Sequence, residues 1–530
     1  MQKFFSLIIK ANQDFIRHTG DNLRHNAPLL NSFYESISEV YIPLLEMVEK
    51  LSADGINFRI GLVLPPLLCN MLSDDSLKEA YVQWLDERIK LGQAESRRNK
   101  DKPAIQALIT EELEKNKQRK KIFAEKYNSS LVPAFADFMN KGYLELLGTC
   151  GTDIFLPHYC DMKEIVSAQI ESGLHAYRQF FGIVPEGFWL PELGYAPGLE
   201  KLIRAYGYTY TILDSRSLLF AEKIPDAGIF YPVRTDNSLV VFARNHAMDV
   251  ELFGEDGIIY SAVYRNQNRD IGYELPMEQL SSVMEKGGIR YSTGYKYWNR
   301  NFNDEAKSVY NPEEALAQVE KDAETFVQKR KSNLDQAAEL LAKHPFVVEV
   351  CALNISKLSK TWHESLAWLE LVIRKASEQG LEVKSCDGLC ENQYELEKIE
   401  PYYSAGIGTG YGENLLSSKN CWMMRYIRKN CERMVDLAGR FPNDTGLKNR
   451  LLNLGAKELM IAQSANLAKM INRSEFPEFA EKRFKESIAA FTAVFDSLGS
   501  NTVSTEWLTR LEAEDSIFPW MNYRIFSKKR

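Results

Sequence analysis

The chain has 530 residues, 45% hydrophobic and 26% charged, a balance that suits an ordinary globular protein with two or three domains or one elaborated barrel. A formal net charge of −7 and a pI near 5.8 exclude a protein whose main partner is nucleic acid. No apolar run approaches the roughly 20 residues needed to cross a bilayer, so no membrane partner is expected and the expected location is cytoplasmic.

In chain order, short apolar runs rich in β-branched and aromatic residues predict strands at Phe4 to Ile9, Ile56 to Leu64, Tyr143 to Leu147, Gly187 to Leu190, Tyr208 to Leu213, Leu239 to Ala243 and Phe346 to Leu353. Helical periodicity fills most of the intervals, which predicts an α/β fold of βα units around a parallel sheet, closed as a barrel or doubly wound. The charged stretch 76–128 reads as one or two exposed helices inserted after the second strand. Residues 228–302 are rich in Gly, Tyr, Asn and Arg and read as a small inserted subdomain. There Tyr291, Tyr295, Tyr297 and Trp298 suit either sugar faces or a ribbon packing its own rings. From Cys421 onward, apolar residues at i, i+3, i+4 and i+7, with Pro442 and Pro477 in the joins, predict packed helices. The expected division is a barrel over 1–400, including the inserted subdomain, and a helical domain over 401–530.

Eight cysteines in so long a chain are no disulfide framework, and Cys386 and Cys390 lack a second pair at zinc spacing. The seven histidines are scattered. Neither a metal nor a cofactor is expected.

The informative stretch is "FWLPELGYAPGLE", in which Glu192 stands where a strand runs into a turn. Catalytic carboxylates of α/β barrels occupy the C-terminal ends of strands, although many such glutamates are merely ion-paired. The whole of "FWLPELGYAPGLEKLIRAYGYTYTILDS" closely resembles the nucleophile region of glycoside hydrolase family 57, above all its branching-enzyme-like members. "GYLELLGTCGTDIFLP", "RDIGYELP", "GIRYSTGYKYW" and "FPWMNYRIF" are similar to further family regions in the same order.

This resemblance implies a distorted (β/α)7 barrel, an inserted subdomain and a helical C-terminal domain. It also implies retaining chemistry on α-1,4-glucans, in which a nucleophile and an acid/base carboxyl stand roughly 5 Å apart. Glu192 falls at the nucleophile. The acid/base aspartate, however, is matched by Asn354, and an amide cannot deliver a proton.

Erosion is general. The family's N-terminal His-x-His-x-Pro-Tyr is matched by Lys10, Asn12, Asp14 and Phe15, its Ala-Thr-His by Gly151, Thr152 and Asp153, and its Ser-Asp-Trp by Ala465, Asn466 and Leu467. Asp153 is a possible surrogate acid. "DVELFG", Asp249 to Gly254, copies the opening of the acid motif but is read as a surface loop of the insertion. Trp189, Tyr195, Trp362 and Tyr411 are the rings expected to line the cleft, with Asp214 and Asn12 as further substrate contacts.

The expected function is therefore binding of an α-glucan or other saccharide, with catalysis lost or impaired. The alternatives are a working branching enzyme or α-glucanase using Asp153 or Asp249, and a non-catalytic scaffold that binds a protein partner.

Overall fold

The computed structural model describes residues 1–19, 27–285, 288–301, 308–390 and 393–528. Seven parallel strands form the barrel: β1 (Gln2–Lys10), β2 (Ile60–Val63), β3 (Leu144–Leu146), β4 (Gly187–Phe188), β5 (Tyr210–Asp214), β6 (Val240–Arg244) and β7 (Phe346–Asn354). Their order is β3-β2-β1-β7-β6-β5-β4. The ring closes where Gly148, just past β3, bridges Phe188 of β4. Two short strands, Val233–Arg234 and Glu382–Val383, pair with β6 and β1 from outside this order.

The apolar runs form strands because both faces are buried, as parallel sheets demand. In β1, Phe4 and Ile8 join the barrel interior with Val63, Ile212, Phe242 and Val350. Phe5, Leu7 and Ile9 face the surrounding helices. β1 and β7 pair along their full length, from Gln2 opposite Phe346 to Lys10 opposite Asn354.

The stretch 76–128 holds α1 (Asp75–Arg98) and α2 (Pro103–Lys121), as predicted, yet each buries one face. Leu91, Ile105 and Ile109 pack on Tyr295 and Tyr297. The hydroxyls of those tyrosines donate to Arg88 O and Glu95 Oε2 at 2.8 and 3.0 Å. These two rings are the core of the irregular layer and offer no sugar face. β6 lies inside the 228–302 stretch marked as inserted, so the irregular chain begins only after this barrel strand.

Further along run α3 (Lys163–Phe181), α4 (Ala247–Phe253) and α5 (Ile355–Thr361). The C-terminal region is helical: α6 (Trp422–Arg440), α7 (Gly446–Ala462), α8 (Ala465–Arg473), α9 (Pro477–Ser500) and α10 (Thr505–Glu514). Pro477 occupies the first turn of α9, where its missing N–H costs nothing. No helix among the described residues is long and apolar enough to cross a membrane.

One glycine fixes a loop that matters below. At Gly173 in α3 a Cβ would lie 1.7 Å from the Thr149 carbonyl oxygen, so the loop after β3 rests directly on the helix backbone. Gly173→Ala is expected to lower stability by about 1–3 kcal/mol through this clash. Ordinarily the same change inside a helix stabilises by up to about 1 kcal/mol. A thermal midpoint that rises in the variant would show that loop and helix are not in contact.

Candidate functional site

The alternation that builds the barrel also aims its strand ends. Residues 4, 8, 212, 242 and 350 point inward, so Lys10, Asp214, Arg244 and Asn354, which close β1, β5, β6 and β7, share that inward parity at the C-terminal mouth. Glu192 arrives by a different route. It sits in the tight turn Pro191–Leu193 after β4, with φ of 55°, a left-handed conformation that a non-glycine residue adopts only under restraint. The restraint is visible in the Gly406 N–H, which donates to Glu192 O at 2.7 Å.

Around Glu192 lies a quartet of alternating charge. Lys469 of α8 donates to Glu192 Oε1 at 2.7 Å, and its ammonium is 3.7 Å from Asp153 Oδ2. Lys10 donates to Asp153 Oδ1 at 3.1 Å and stands 3.7 Å from Glu192 Oε1. All four side chains are nearly enclosed. Burial pushes the Glu192 carboxyl up, but Lys469 and Lys10 outweigh it and hold the group down at about 2. The reciprocal effect appears on Lys10, where burial is overcome by Asp153 and Glu192 and the ammonium is held above its usual range.

Lys469 reaches the quartet because α8 docks on the loop after β3. Ala465 N donates to Asp153 O at 2.8 Å, and Ser464 bridges Ile154. Nothing in the family motifs points to Lys469. Its only sequence signal is its place one turn beyond Ala465 on the same helical face.

Asn354 performs a local task. Its Oδ1 accepts the Lys357 N–H at 3.0 Å and caps α5, a role for which asparagine is among the preferred residues. Asn12 ties three elements together: its N–H donates to Ser356 Oγ at 3.1 Å, and its Oδ1 accepts from Asn466 at 3.2 Å. Next to it, burial pushes the Asp14 carboxyl up to about 6, and its Oδ1 has no hydrogen-bond partner among the described residues.

A second charged group stands across the mouth. Asp214, fully buried, accepts from Arg216 at 2.6 Å and from Arg244 at 3.0 Å, and Arg244 in turn donates to Asp249 at 2.7 Å. The reading of Asp249 as a surface loop is corrected here. It follows the buried strand β6, rides on α4 and joins the ring of strand-end groups. The insertion-like texture of the sequence had concealed that strand. Its carboxylate is committed to Arg244, with His246 Nδ1 3.4 Å away.

The expected aromatic lining is also corrected. Trp362 is 0% exposed, packed between Tyr264 and Trp368. Trp189 is buried in the barrel interior, and Tyr195 is buried with its hydroxyl on Glu200 at 2.9 Å. Of the four, only Tyr411 is open, 44% exposed and stacked on Tyr403 at 6.2 Å. An aromatic side chain beside a charged motif reads the same in sequence whether it fills a core or faces a cleft. Among the described residues no group of His, Cys, Asp and Glu is arranged to hold a metal ion.

Comparison with known proteins follows the geometry. Residues 426–526 match the module described as 1,4-alpha-glucan branching enzyme, C-terminal. A 1,4-alpha-glucan branching enzyme of Thermococcus kodakarensis is 24% identical over 485 residues, covering 85% of this chain and 67% of its own. The alpha-amylase AmyC of Thermotoga maritima superposes with a TM-score of 0.91 at 26% identity over 100% of both chains. A branching enzyme of Pyrococcus horikoshii gives 0.88 at 21%, covering 100% of this chain and 98% of its own. With residues 6–361 matching glycosyl hydrolase family 57 across the barrel that carries Glu192, the chain belongs to that family.

Proposed function

We propose that this protein binds an α-glucan at the barrel mouth and has lost the family reaction at Glu192. The observation that carries this reading is the quartet: one oxygen of Glu192 and one of Asp153 accept from lysine ammonium groups. Retaining hydrolysis needs a carboxylate free to attack and a second carboxyl able to give up a proton. Here the carboxylate at the nucleophile position accepts from Lys469 through Oε1, and the acid position is an amide spent on capping α5. Tyr411, exposed on the loop whose Gly406 holds Glu192, supplies a ring for a sugar face.

The experiment is incubation of wild type, Glu192→Gln and Asn354→Asp with amylose, following new reducing ends and new α-1,6 branches, with glycogen binding on the same samples. The expected result is saturable binding with no turnover in wild type or Glu192→Gln. Turnover in wild type that disappears in Glu192→Gln overturns the reading, and absence of binding leaves a scaffold.

A second reading, a working enzyme, is favoured by one observation. Asp14 is the carboxyl near Asp153 and Lys469 that burial pushes up to about 6, a value suited to a general acid. On that reading the turnover has a pH limb near 6 that Asp14→Asn removes.

A further inference from the structure

We infer that the C-terminal helices carry a second saccharide site, apart from the barrel mouth: a groove between α6 and α9 in which the rings of Trp422 and Tyr426 receive one strand of an α-glucan. The identity of the sugar rests on the glucan reading above, whereas the groove is described by its own geometry.

The groove is a cavity of about 530 Å³, within the roughly 300–1,000 Å³ of ligand pockets. Trp422 and Tyr426 are four residues apart on α6 and so share one of its faces. Their ring centroids lie 6.4 Å apart with the planes at 75°, so together they form a corner and not a flat wall. Trp422 is fixed on two sides. Its indole N–H donates to Lys419 O at 3.1 Å, and its ring meets buried Phe484 of α9 at 5.3 Å and 87°. Tyr426 is 43% exposed. Across the groove, Glu481 and Lys485 stand one turn apart on α9. The Lys485 ammonium donates to Glu481 Oε1 at 2.5 Å and lies 6.0 Å from the centre of the Trp422 ring.

The occupant follows from this mixture of rings and charges. A protein seated here would strip water from Glu481 and Lys485, and such charges are depleted from the cores of protein interfaces. A glucan keeps both satisfied. Its apolar C–H faces lie on the rings, while its hydroxyls donate to the Glu481 carboxylate and accept from the Lys485 ammonium. The pair is neutral as a unit, as a glucan is, and two rings set at an angle suit the curved chain that α-1,4 linkage produces.

The groove is also joined to the mouth. Asn472 lies one turn beyond Lys469 on α8, and its carbonyl accepts from the Lys419 ammonium at 3.1 Å. The same Lys419 holds Trp422 through its own carbonyl. A polymer long enough to touch both places gains from the high local concentration of its second contact.

The test is affinity electrophoresis of the full chain in native gels containing glycogen, with wild type, Tyr426→Ala, Glu481→Gln, Tyr411→Ala at the mouth, and the double Tyr411→Ala/Tyr426→Ala variant. Circular dichroism and sedimentation velocity are recorded on the same samples. Tyr426→Ala is expected to weaken glycogen binding about three- to tenfold and Glu481→Gln about twofold, with unchanged circular dichroism. The double variant should lose more than either single one. Glu481 is an exposed side chain and decides the matter should Tyr426→Ala misfold. Undiminished binding in both groove variants overturns the inference, and the mouth reading then stands if Tyr411→Ala weakens binding. Loss in the groove variants with none in Tyr411→Ala upholds the inference and removes the mouth reading. A wild-type dimer that becomes monomeric in Tyr426→Ala without loss of glycogen binding assigns the groove to a second copy of the chain, which overturns the inference.

Discussion

Asp515→Ala is expected to lower stability by about 3–5 kcal/mol, because it breaks a buried ion pair from one side. Asp515 accepts from Arg17 at 2.6 Å and from Arg483 at 2.7 Å, and all three side chains are buried. Despite its burial, Arg483, Glu458 and Arg17 hold the Asp515 carboxyl well below the usual carboxylate range. Glu458, 3.4 Å from Arg17, is pushed well above that range by burial and by Asp515. Asp515 therefore carries the negative charge of the pair, and without it Arg483 is left with Glu458 at 3.9 Å, while Arg17 keeps Glu486 at 3.0 Å and Glu458 at 3.4 Å. Arg17 belongs to the loop after β1, whereas Asp515 and Arg483 belong to the C-terminal region, so this contact joins the helical region to the barrel. Urea unfolding at neutral pH measures the effect. Asp515→Asn, which preserves volume and some hydrogen bonding, should fall between wild type and the alanine variant. A loss under about 1 kcal/mol in the alanine variant would show that the cluster is solvated.

Glu192→Gln is expected to cost about 3 kcal/mol near neutral pH and almost nothing near pH 2. The carboxyl falls from an ordinary 4.5 to about 2 on folding, with burial opposing and the two lysines prevailing. At about 1.4 kcal/mol per pH unit, that shift contributes about 3 kcal/mol. A group lowered in this way gives its full contribution above about pH 4.5, the unfolded value, and loses it as pH falls through the folded value. The difference in unfolding free energy between wild type and variant should therefore shrink progressively below pH 4.5. The sign is diagnostic. Carboxylates kept for catalysis commonly sit at a cost to the fold, so their removal stabilises. If Glu192→Gln proves neutral or stabilising at pH 7, the quartet is not the ion-paired unit described above.

All seven barrel strands were legible, because parallel strands buried on two faces leave continuous β-branched and aromatic runs. Parity along those runs also places Lys10 and Asn354 at the mouth. The proximity of Asp153 to Glu192 could be posed from sequence but not decided, since it depends on how the loop after β3 seats on Gly173. Lys469 was out of reach for a plainer reason: it lies 277 positions from Glu192 and only the docking of α8 unites them. Trp362 and Tyr195 failed as cleft residues because hydrophobic patterning reports burial and says nothing about which side of a wall a ring occupies.

The strands of the barrel are laced by runs of paired residues except at two joints: β6 and β7 share the single pair Arg244–Val350, and β3 and β4 meet through Gly148. The loops that follow those two strands carry Asp153 and Glu192. The two carboxylates thus stand on either side of one of the two thinly laced joints in the wall, and Lys10 and Lys469 span it like clasps over a seam. Side-chain ion pairs thus do across this joint what strand pairing does along most of the wall.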